Sequence, residues 1–585
     1  MYLNKMYISI AFLICVKFVV CEEKPVVDTT HGKIMGKVLK TLMDVNYYGF
    51  MGIPYAVPPV GELRFMPPQP LDPWEGVLRT TKEKPACIQF NNDVKKGQSL
   101  GHYGSEDCLY LDVFTPAIDE EERAVIMFIF NDHFLNSYNK SKDYAPDFFI
   151  EEDVVVVTIS HRLSALGFLS LEDEILPGNA GLKDIVHGLE WVKDNIDKFG
   201  GDPKRITLMG LQGGAAAIDL LIHSKAKDLF SGAILHSGTS WTSAYLQEDV
   251  KQRAFRLGEL MNRTSTNGVK LISDLQEVEA EHLLSKDLHA SPSDYFKATQ
   301  KSVISFAPIV ERQSHGLLTE YPEDSTSKID IPILIGFNSL EGMEAMLQYL
   351  VEPRFLTFLR KDFPLLLPRR LRFKFNHMGD VYDEAAKEIK DFYFTRGEIN
   401  YKSAPDLITF MGDALTTYAM DHTAKTYSTR SLKPVYYYHF DYNSILNENY
   451  NNLMKYATVK DGLVGAATGD EMCYLFKCPN LINEYINVEE HLPEEKAIQM
   501  SMVRMWTNFA KYGNPTPGGD EMLKNFKWPP YTLENKEYLH IGKTLDIKRD
   551  LYKNRFDFWD QFIGKWEQKA VDGIVTDAVN NKDEL

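Results

Sequence analysis

Residues 205–223 read RITLMGLQGGAAAIDLLIH. Residues 206–209 form a short apolar run suited to a buried strand. Gly210-Leu211-Gln212-Gly213-Gly214 is a tight, glycine-rich turn, and residues 215–222 are apolar and alanine-rich, the start of a helix. Strand, sharp turn and helix, in that order, are the setting in which a G-x-S-x-G turn lifts a nucleophilic serine to the tip of a bend. The middle position here is Gln212. A carboxamide has no ionisable proton to surrender to a base, so a base cannot turn it into a nucleophile. The stretch keeps the frame of a reactive turn without its attacking atom.

Outward from this turn, residues 124–130 (AVIMFIF) and 153–160 (DVVVVTIS) are short runs rich in β-branched and aromatic residues. Such runs suit central strands covered on both faces. Residues 233–235, 332–335 and 435–440 add further strands. Residues 179–199 place Leu182, Ile185, Leu189, Val192 and Ile196 at helical spacing. Strands alternating with helices predict an α/β fold, a large mixed, mostly parallel sheet with helices on both faces. Residues 242–330 and 350–430 read as helical insertions that cap the sheet, and residues 550–568 as a last amphipathic helix. A small sheet is expected within residues 26–64. The proline-rich stretch 50–65 is expected to be an irregular loop, because proline lacks a donor and restricts its neighbour.

Gly97-Gln98-Ser99-Leu100-Gly101 matches G-x-S-x-G as letters. It follows the polar run NNDVKK, with no strand before it and no helix after it, and is rejected as a nucleophile turn.

The ends of the chain carry addresses. Lys5, an apolar run over residues 6–16, Lys17 and a short apolar segment to Cys21 read as a secretory signal peptide over residues 1–21. It is too short and interrupted to be a membrane span. The last residues are Lys582-Asp583-Glu584-Leu585, the signal read by the KDEL receptor, which predicts retention in the endoplasmic reticulum lumen. A length of 585 residues would suggest about three or four domains, but a large α/β sheet with insertions can be one, and residues 22–570 are read as a single domain. Residues 571–585 are read as a flexible tail that presents the signal. The net charge of −18 is spread along the chain without a basic patch, which argues against nucleic-acid binding. No metal-ligand or cofactor motif stands out.

Six cysteines are present, of which Cys15 and Cys21 fall in the leader. Cys87 and Cys108 bracket a polar loop and are plausible partners in an oxidising lumen. Cys473 and Cys478 lie five apart; a bond across one helical turn is poor geometry, so they are expected to be free and buried. Asn139-Lys140-Ser141 and Asn262-Arg263-Thr264 are glycosylation sequons.

Several longer stretches now make the resemblance specific. They are YYGFMGIPYAVPPVGELRF (47–65), GSEDCLYLDVF (104–114), HRLSALGFLS (161–170), PGNAGLKD (177–184), FGGDPKRITLMG (199–210) and WTNFAKYGNPTP (506–517). With them the chain resembles the type B carboxylesterases, the family that includes the cholinesterases, and most resembles those of insects. The resemblance runs over about residues 26–566 and implies one α/β-hydrolase domain with a gorge leading to a Ser-Glu-His triad. It also implies a disulfide at Cys87 and Cys108, and ion pairs joining Arg64 to Glu106 and Arg162 to Asp184.

Carried over by position, the chemistry is broken. The family's serine falls on Gln212. Its acid, in a G-x-x-x-x-E-G stretch, falls on Glu341 and is intact. Its histidine falls on Thr468, and no histidine between His439 and His491 replaces it by a small slip. The H-G-G-G-F oxyanion cradle, completed by Gly213 of the turn, is Phe130-Asn131-Asp132-His133-Phe134 here, so Asn131 and Asp132 stand where glycines belong. Side chains there obstruct the cradle, and Asp132 adds a negative charge beside a developing one. The expectation is a catalytically inactive homologue. It would bind a small apolar or ester-like ligand in the gorge, or a protein partner through its outer helices. Two alternatives remain. One is a hydrolase with substitute residues, drawn from Asp132, His133 and Ser237. The other is an adhesion-type ectodomain like some inactive relatives, disfavoured by the retention signal and the lack of a membrane span.

Overall fold

The structure is a computed structural model and describes residues 24–90, 101–137 and 143–577, apart from 293, 294, 303, 353, 355, 362 and 401. The signal peptide, the body of the rejected G-x-S-x-G stretch, the Asn139 sequon and the KDEL terminus lie outside the described residues.

Eleven strands form the main sheet. In chain order they are β1 (Lys37–Lys40), β2 (Asn46–Pro54), β3 (Tyr110–Thr115), β4 (Arg123–Asn131), β5 (Val155–Ile159), β6 (Gly201–Gln212), β7 (Gly232–His236), β8 (Ile333–Asn338), β9 (Val435–Phe440), β10 (Glu537–Ile541) and β11 (Leu545–Arg549). Across the sheet the order is β11-β10-β9-β8-β7-β6-β4-β5-β3-β2-β1. The pairs from β10 through to β5 are parallel. The flanking pairs are antiparallel, so the sheet is mixed and mostly parallel, as expected.

The apolar runs are strands because each can bury both of its faces. In β4, Val125, Met127 and Ile129 belong to one core, with Leu182, Ile185 and Leu189 of a helix over Ala180–Asn195. The alternate residues Ile126, Phe128 and Phe130 belong to a second core, with Phe149, Met502 and Trp506. Period-two alternation thus feeds two apolar layers. The helices used below are α1 (Asp147–Glu151), α2 (Ala180–Asn195), α3 (Gly213–Ile222), α4 (Ile482–His491), α5 (Pro493–Tyr512) and α6 (Lys553–Glu567).

Three expectations are corrected. Residues 50–54 of the proline-rich stretch belong to β2, with a register shift between Phe50 and Ile53. Pro54 sits at the strand's last position, where its missing donor costs little. Cys473 and Cys478 are joined in a disulfide, Cα–Cα 5.4 Å. The helix that begins at Met472 ends at Leu475, and Phe476 is extended, so the bond does not span a helical turn and the spacing falls in the ordinary range. Residues 574–575 pair with residues 374–375, Val575 is buried, and Asp577 accepts from the Val381 N–H. The chain therefore stays docked through residue 577, past the expected start of the tail at 571.

The three pairings that the resemblance implied hold. Cys87 and Cys108 are bonded, Cα–Cα 4.9 Å. Arg64 donates to both carboxylate oxygens of Glu106, and Arg162 to both of Asp184, the latter pair at 2.7 and 2.8 Å. Asn262, of the second sequon, is exposed. Among the described residues no helix is long and apolar enough to cross a membrane.

Candidate functional site

The parallel strands deliver the site residues to one edge, the C-terminal ends, where an open α/β sheet places its ligands. Asn131 is the last residue of β4, Gln212 the last of β6, and the two are direct partners in the ladder. Ser237 follows β7, Glu341 follows β8 by three residues, and Thr468 comes from the loop after β9.

Gln212 occupies the tip of the sharp turn, at φ 50° and ψ −115°, and α3 starts at the next residue. This is strained ground for a residue with a side chain. Close packing holds it: a Cβ on Gly214 would come within 2.0 Å of the Ile129 carbonyl, so α3 can approach β4 only with glycine there. Gln212 Nε2 donates to Glu344 Oε2 at 3.3 Å.

The cradle positions are filled. Asn131 is fully buried, and its Oδ1 accepts from the Phe134 N–H at 2.8 Å. That oxygen lies against Gly213, where a Cβ would meet it at 2.0 Å. Asn131 Nδ2 lies 3.4 Å from His161 Nε2. The His161 Nδ1–H in turn donates to the Arg162 carbonyl. Burial lowers the His161 pKa, so the ring is neutral and Nε2 is an acceptor. His133 and Phe134 take φ of 52° and 60°, the left-handed region that glycine enters freely and bulky side chains do not. The backbone keeps a path shaped for glycine while the side chains have changed.

Asp132 and Glu344 put two carboxylates beside this cradle. Asp132 Oδ1 stands 3.5 Å from His133 Nε2 and accepts no hydrogen bond among the described residues. His133 Nδ1 and the Tyr245 hydroxyl lie 2.6 Å apart. Burial, then Asp132 and Glu344, raise the Tyr245 pKa well above a phenol's, so the hydroxyl stays neutral. Glu344 is exposed. Crowding by the surrounding protein and the nearby Asp132 charge raise its pKa.

Glu341 is held by two hydroxyls and a backbone N–H. It accepts from Ser237 Oγ at 2.6 Å, from the Asn338 N–H at 2.7 Å and from Thr468 Oγ1 at 2.7 Å. Burial pushes its pKa up to about 8, against the pull of those three donors, and Glu471 raises it further. Beneath it lies a closed polar network. Trp506 Nε1 donates to His236 Nε2, and His236 Nδ1 and the Tyr438 hydroxyl meet Glu471 Oε1. Asn338 Nδ2 donates to the other Glu471 oxygen. His236 and Glu471 are fully buried, and every one of these contacts is internal.

The chain's family is decided by comparison with known proteins. The profile of the carboxylesterase family matches residues 23–559. The chain belongs to the carboxylesterase family. Relatives include the juvenile hormone esterase of Tribolium castaneum, 30% identical, with 92% of this chain and 93% of that one aligned. Venom carboxylesterase-6 of Apis mellifera is 28% identical over 96% and 98%. Esterase FE4 of Myzus persicae is 30% identical over 91% and 92%.

Set in this family, the structure brings Gln212, Asn131, Asp132 and Gly213 together at the elbow, and Glu341 with Thr468 beside it. Of the substitute residues, Asp132 and His133 stand 3.5 Å apart, His133 also meets Tyr245, and Ser237 is bonded to Glu341. Sequence reading missed Glu344, Tyr245 and His161. Glu344 lies three residues beyond Glu341, and its place follows from the turn after β8; the other two are near only in the fold. In chemical terms the site presents a carboxamide and carboxylates where an acyl-transfer site needs a nucleophile and N–H donors. Thr468 donates a hydrogen bond to Glu341 and has no basic nitrogen to accept a proton.

Proposed function

We propose that this carboxylesterase-family chain is a non-hydrolytic binding protein of the endoplasmic reticulum lumen. The observation that carries the reading is Gln212 at the tip of the elbow, hydrogen-bonded to Glu344 rather than to an imidazole. Thr468 on Glu341 and Asn131 against Gly213 support it, because nucleophile, relay and cradle are altered together. Members of a catalytic unit lose rate non-additively, so three changes leave little for any one to rescue. The leader-like start and the terminal Lys582-Asp583-Glu584-Leu585 support the location.

The relatives are named as esterases, so an ester is the first ligand class to test, held by Gln212 as a carbonyl partner and not cleaved. Asp132 and Glu344 favour a ligand that also offers hydrogen-bond donors. A protein partner is the other class. Native mass spectrometry of the protein taken gently from its own tissue separates them: a few hundred daltons of added mass, lost on denaturation, marks a gorge ligand, and a protein-sized addition marks a partner. A fluorophosphonate probe tests the inactivity. No serine should be labelled, and stoichiometric labelling overturns the proposal.

A second reading, hydrolysis by substitute residues, rests on Ser237 Oγ lying 2.6 Å from the Glu341 carboxylate. Labelling at Ser237 would select it. Ser237 is only 1% exposed, which disfavours a reagent reaching it.

A further inference from the structure

Away from the elbow, a groove of about 470 Å³ opens between the turn after β1, α1, α4 and α5. None of its lining residues belongs to the Gln212 site. Its floor is apolar and accessible: Met43, Ile486, Met500 and Met522 are 53%, 47%, 42% and 39% exposed. Four large apolar side chains left open in one depression mark an interaction surface. Methionine is prominent among them, and its flexible, polarisable side chain moulds to varied apolar partners.

The rim is acidic. Glu151, Glu152, Glu489 and Glu490 line the groove, with Lys496 as the cation among the lining residues. Lys496 is taken by Glu489, and Glu152 pairs with Arg504. Glu490 is exposed beside exposed His491. With Lys496 and Arg504 each taking one carboxylate, Glu151 and Glu490 leave the rim negative.

We propose that this groove docks a basic amphipathic segment of a partner protein, with leucine- or methionine-like side chains on the floor and lysines or arginines against the rim. Charge complementarity chooses the occupant. A second copy of a chain with net charge −18 brings the wrong sign, and so does an anionic lipid surface. An open channel with two helical walls suits a helix laid lengthwise, read through spaced apolar anchors. The proposal is independent of whether the elbow binds a ligand.

The test uses the full-length purified protein and a fluorescein-labelled amphipathic helical peptide of leucine and lysine, with its leucine and glutamate counterpart as control, followed by anisotropy. The Leu/Lys peptide should bind saturably at one site, and the Leu/Glu peptide should not. Met500→Glu and Ile486→Glu change exposed side chains and add negative charge. Diffuse attraction of a basic peptide to an acidic protein would be kept or strengthened by them, whereas groove docking should weaken at least tenfold. Glu490→Lys, at an exposed rim position, should weaken binding with an unchanged melting curve, and covers the case in which a floor variant folds poorly. Unchanged binding in Met500→Glu and Glu490→Lys overturns the proposal, as does equal binding of the Leu/Glu peptide. Absence of peptide binding overturns it too. If Met500→Glu instead converts a sedimenting dimer to monomer, the groove is a self-interface, and the proposal falls.

Discussion

Thr468 Oγ1 donates to Glu341 Oε2 at 2.7 Å, so a hydroxyl from beyond β9 meets the buried acid that follows β8. The contact keeps a buried carboxyl company and gives it no cation. Its pKa accordingly sits at about 8, raised from 4.5 chiefly by burial. Between those two values the folded protein binds more protons at Glu341 than the unfolded chain does, so stability falls as pH rises through the window. Below it Glu341 contributes no pH dependence, and above it the full cost is present. Other buried acids, Asp287 and Asp421, are raised as well, so the informative quantity is a difference. Denaturant unfolding at pH 5 and pH 8 should show Glu341→Gln losing less stability than the parent over that interval, by about 2 kcal/mol or more. Parallel curves would mean that Glu341 is charged in the folded state.

The two disulfides should differ in worth. Cys87–Cys108 closes a separation of 21 residues, and Cys473–Cys478 one of 5. Loop-closure entropy assigns about 3 kcal/mol to the first and about 2 kcal/mol to the second. Paired serine substitutions, each measured by reversible unfolding, should rank in that order. Loss of more than the Cys87–Cys108 pair on removing Cys473–Cys478 would show that the second bond holds native packing and does not only shorten a loop.

Arg162 and Asp184 are both almost wholly buried, and Asp184 also accepts from the Arg162 N–H. Arg162→Met strands an uncompensated carboxylate. The expected loss is about 3–5 kcal/mol, larger than for an exposed pair such as Lys40 with Asp44. The double variant Arg162→Met with Asp184→Leu should recover part of it. No recovery would mean that the pair is required for the loop geometry as well as for charge balance.

The central architecture was legible where a physical pattern was local. In residues 124–130 the alternation of Val125, Met127 and Ile129 with Ile126, Phe128 and Phe130 already states that two apolar layers exist. Gly210 and Gly214 state a turn, and Gln212 between them states the missing hydroxyl. Contacts made across the fold were not legible. The Cys473–Cys478 bond depended on a helix ending at Leu475, and nothing nearby announces that end. Residues 50–54 looked broken by proline, yet Pro54 only terminates the strand. Tyr245 meets His133 across 112 positions, and Glu344 reaches Gln212 across 132. No periodicity carries such pairings, because they arise from the order of strands in the sheet.

Gln212→Ser alone is expected to leave ester hydrolysis at the buffer rate. The new hydroxyl would stand at φ 50° on the elbow, in the right place for attack, but Thr468 offers it no base. Asn131 Oδ1 would still press on Gly213, whose N–H belongs to the cradle, and Asp132 would still oppose the developing oxyanion. One lost oxyanion donor already costs ~100- to 1000-fold in rate. Adding Thr468→His restores an imidazole within reach of Glu341, and Asn131→Gly with Asp132→Gly clears the cradle and its charge. His133 and Phe134 already hold left-handed backbone there, so the path of the loop need not change. The fourfold variant should hydrolyse p-nitrophenyl acetate at least ~100-fold faster than the single one and become reactive toward a fluorophosphonate at position 212. Turnover by Gln212→Ser alone would place a working base elsewhere, with Glu344, now 3.3 Å from the Gln212 amide, the first residue to replace.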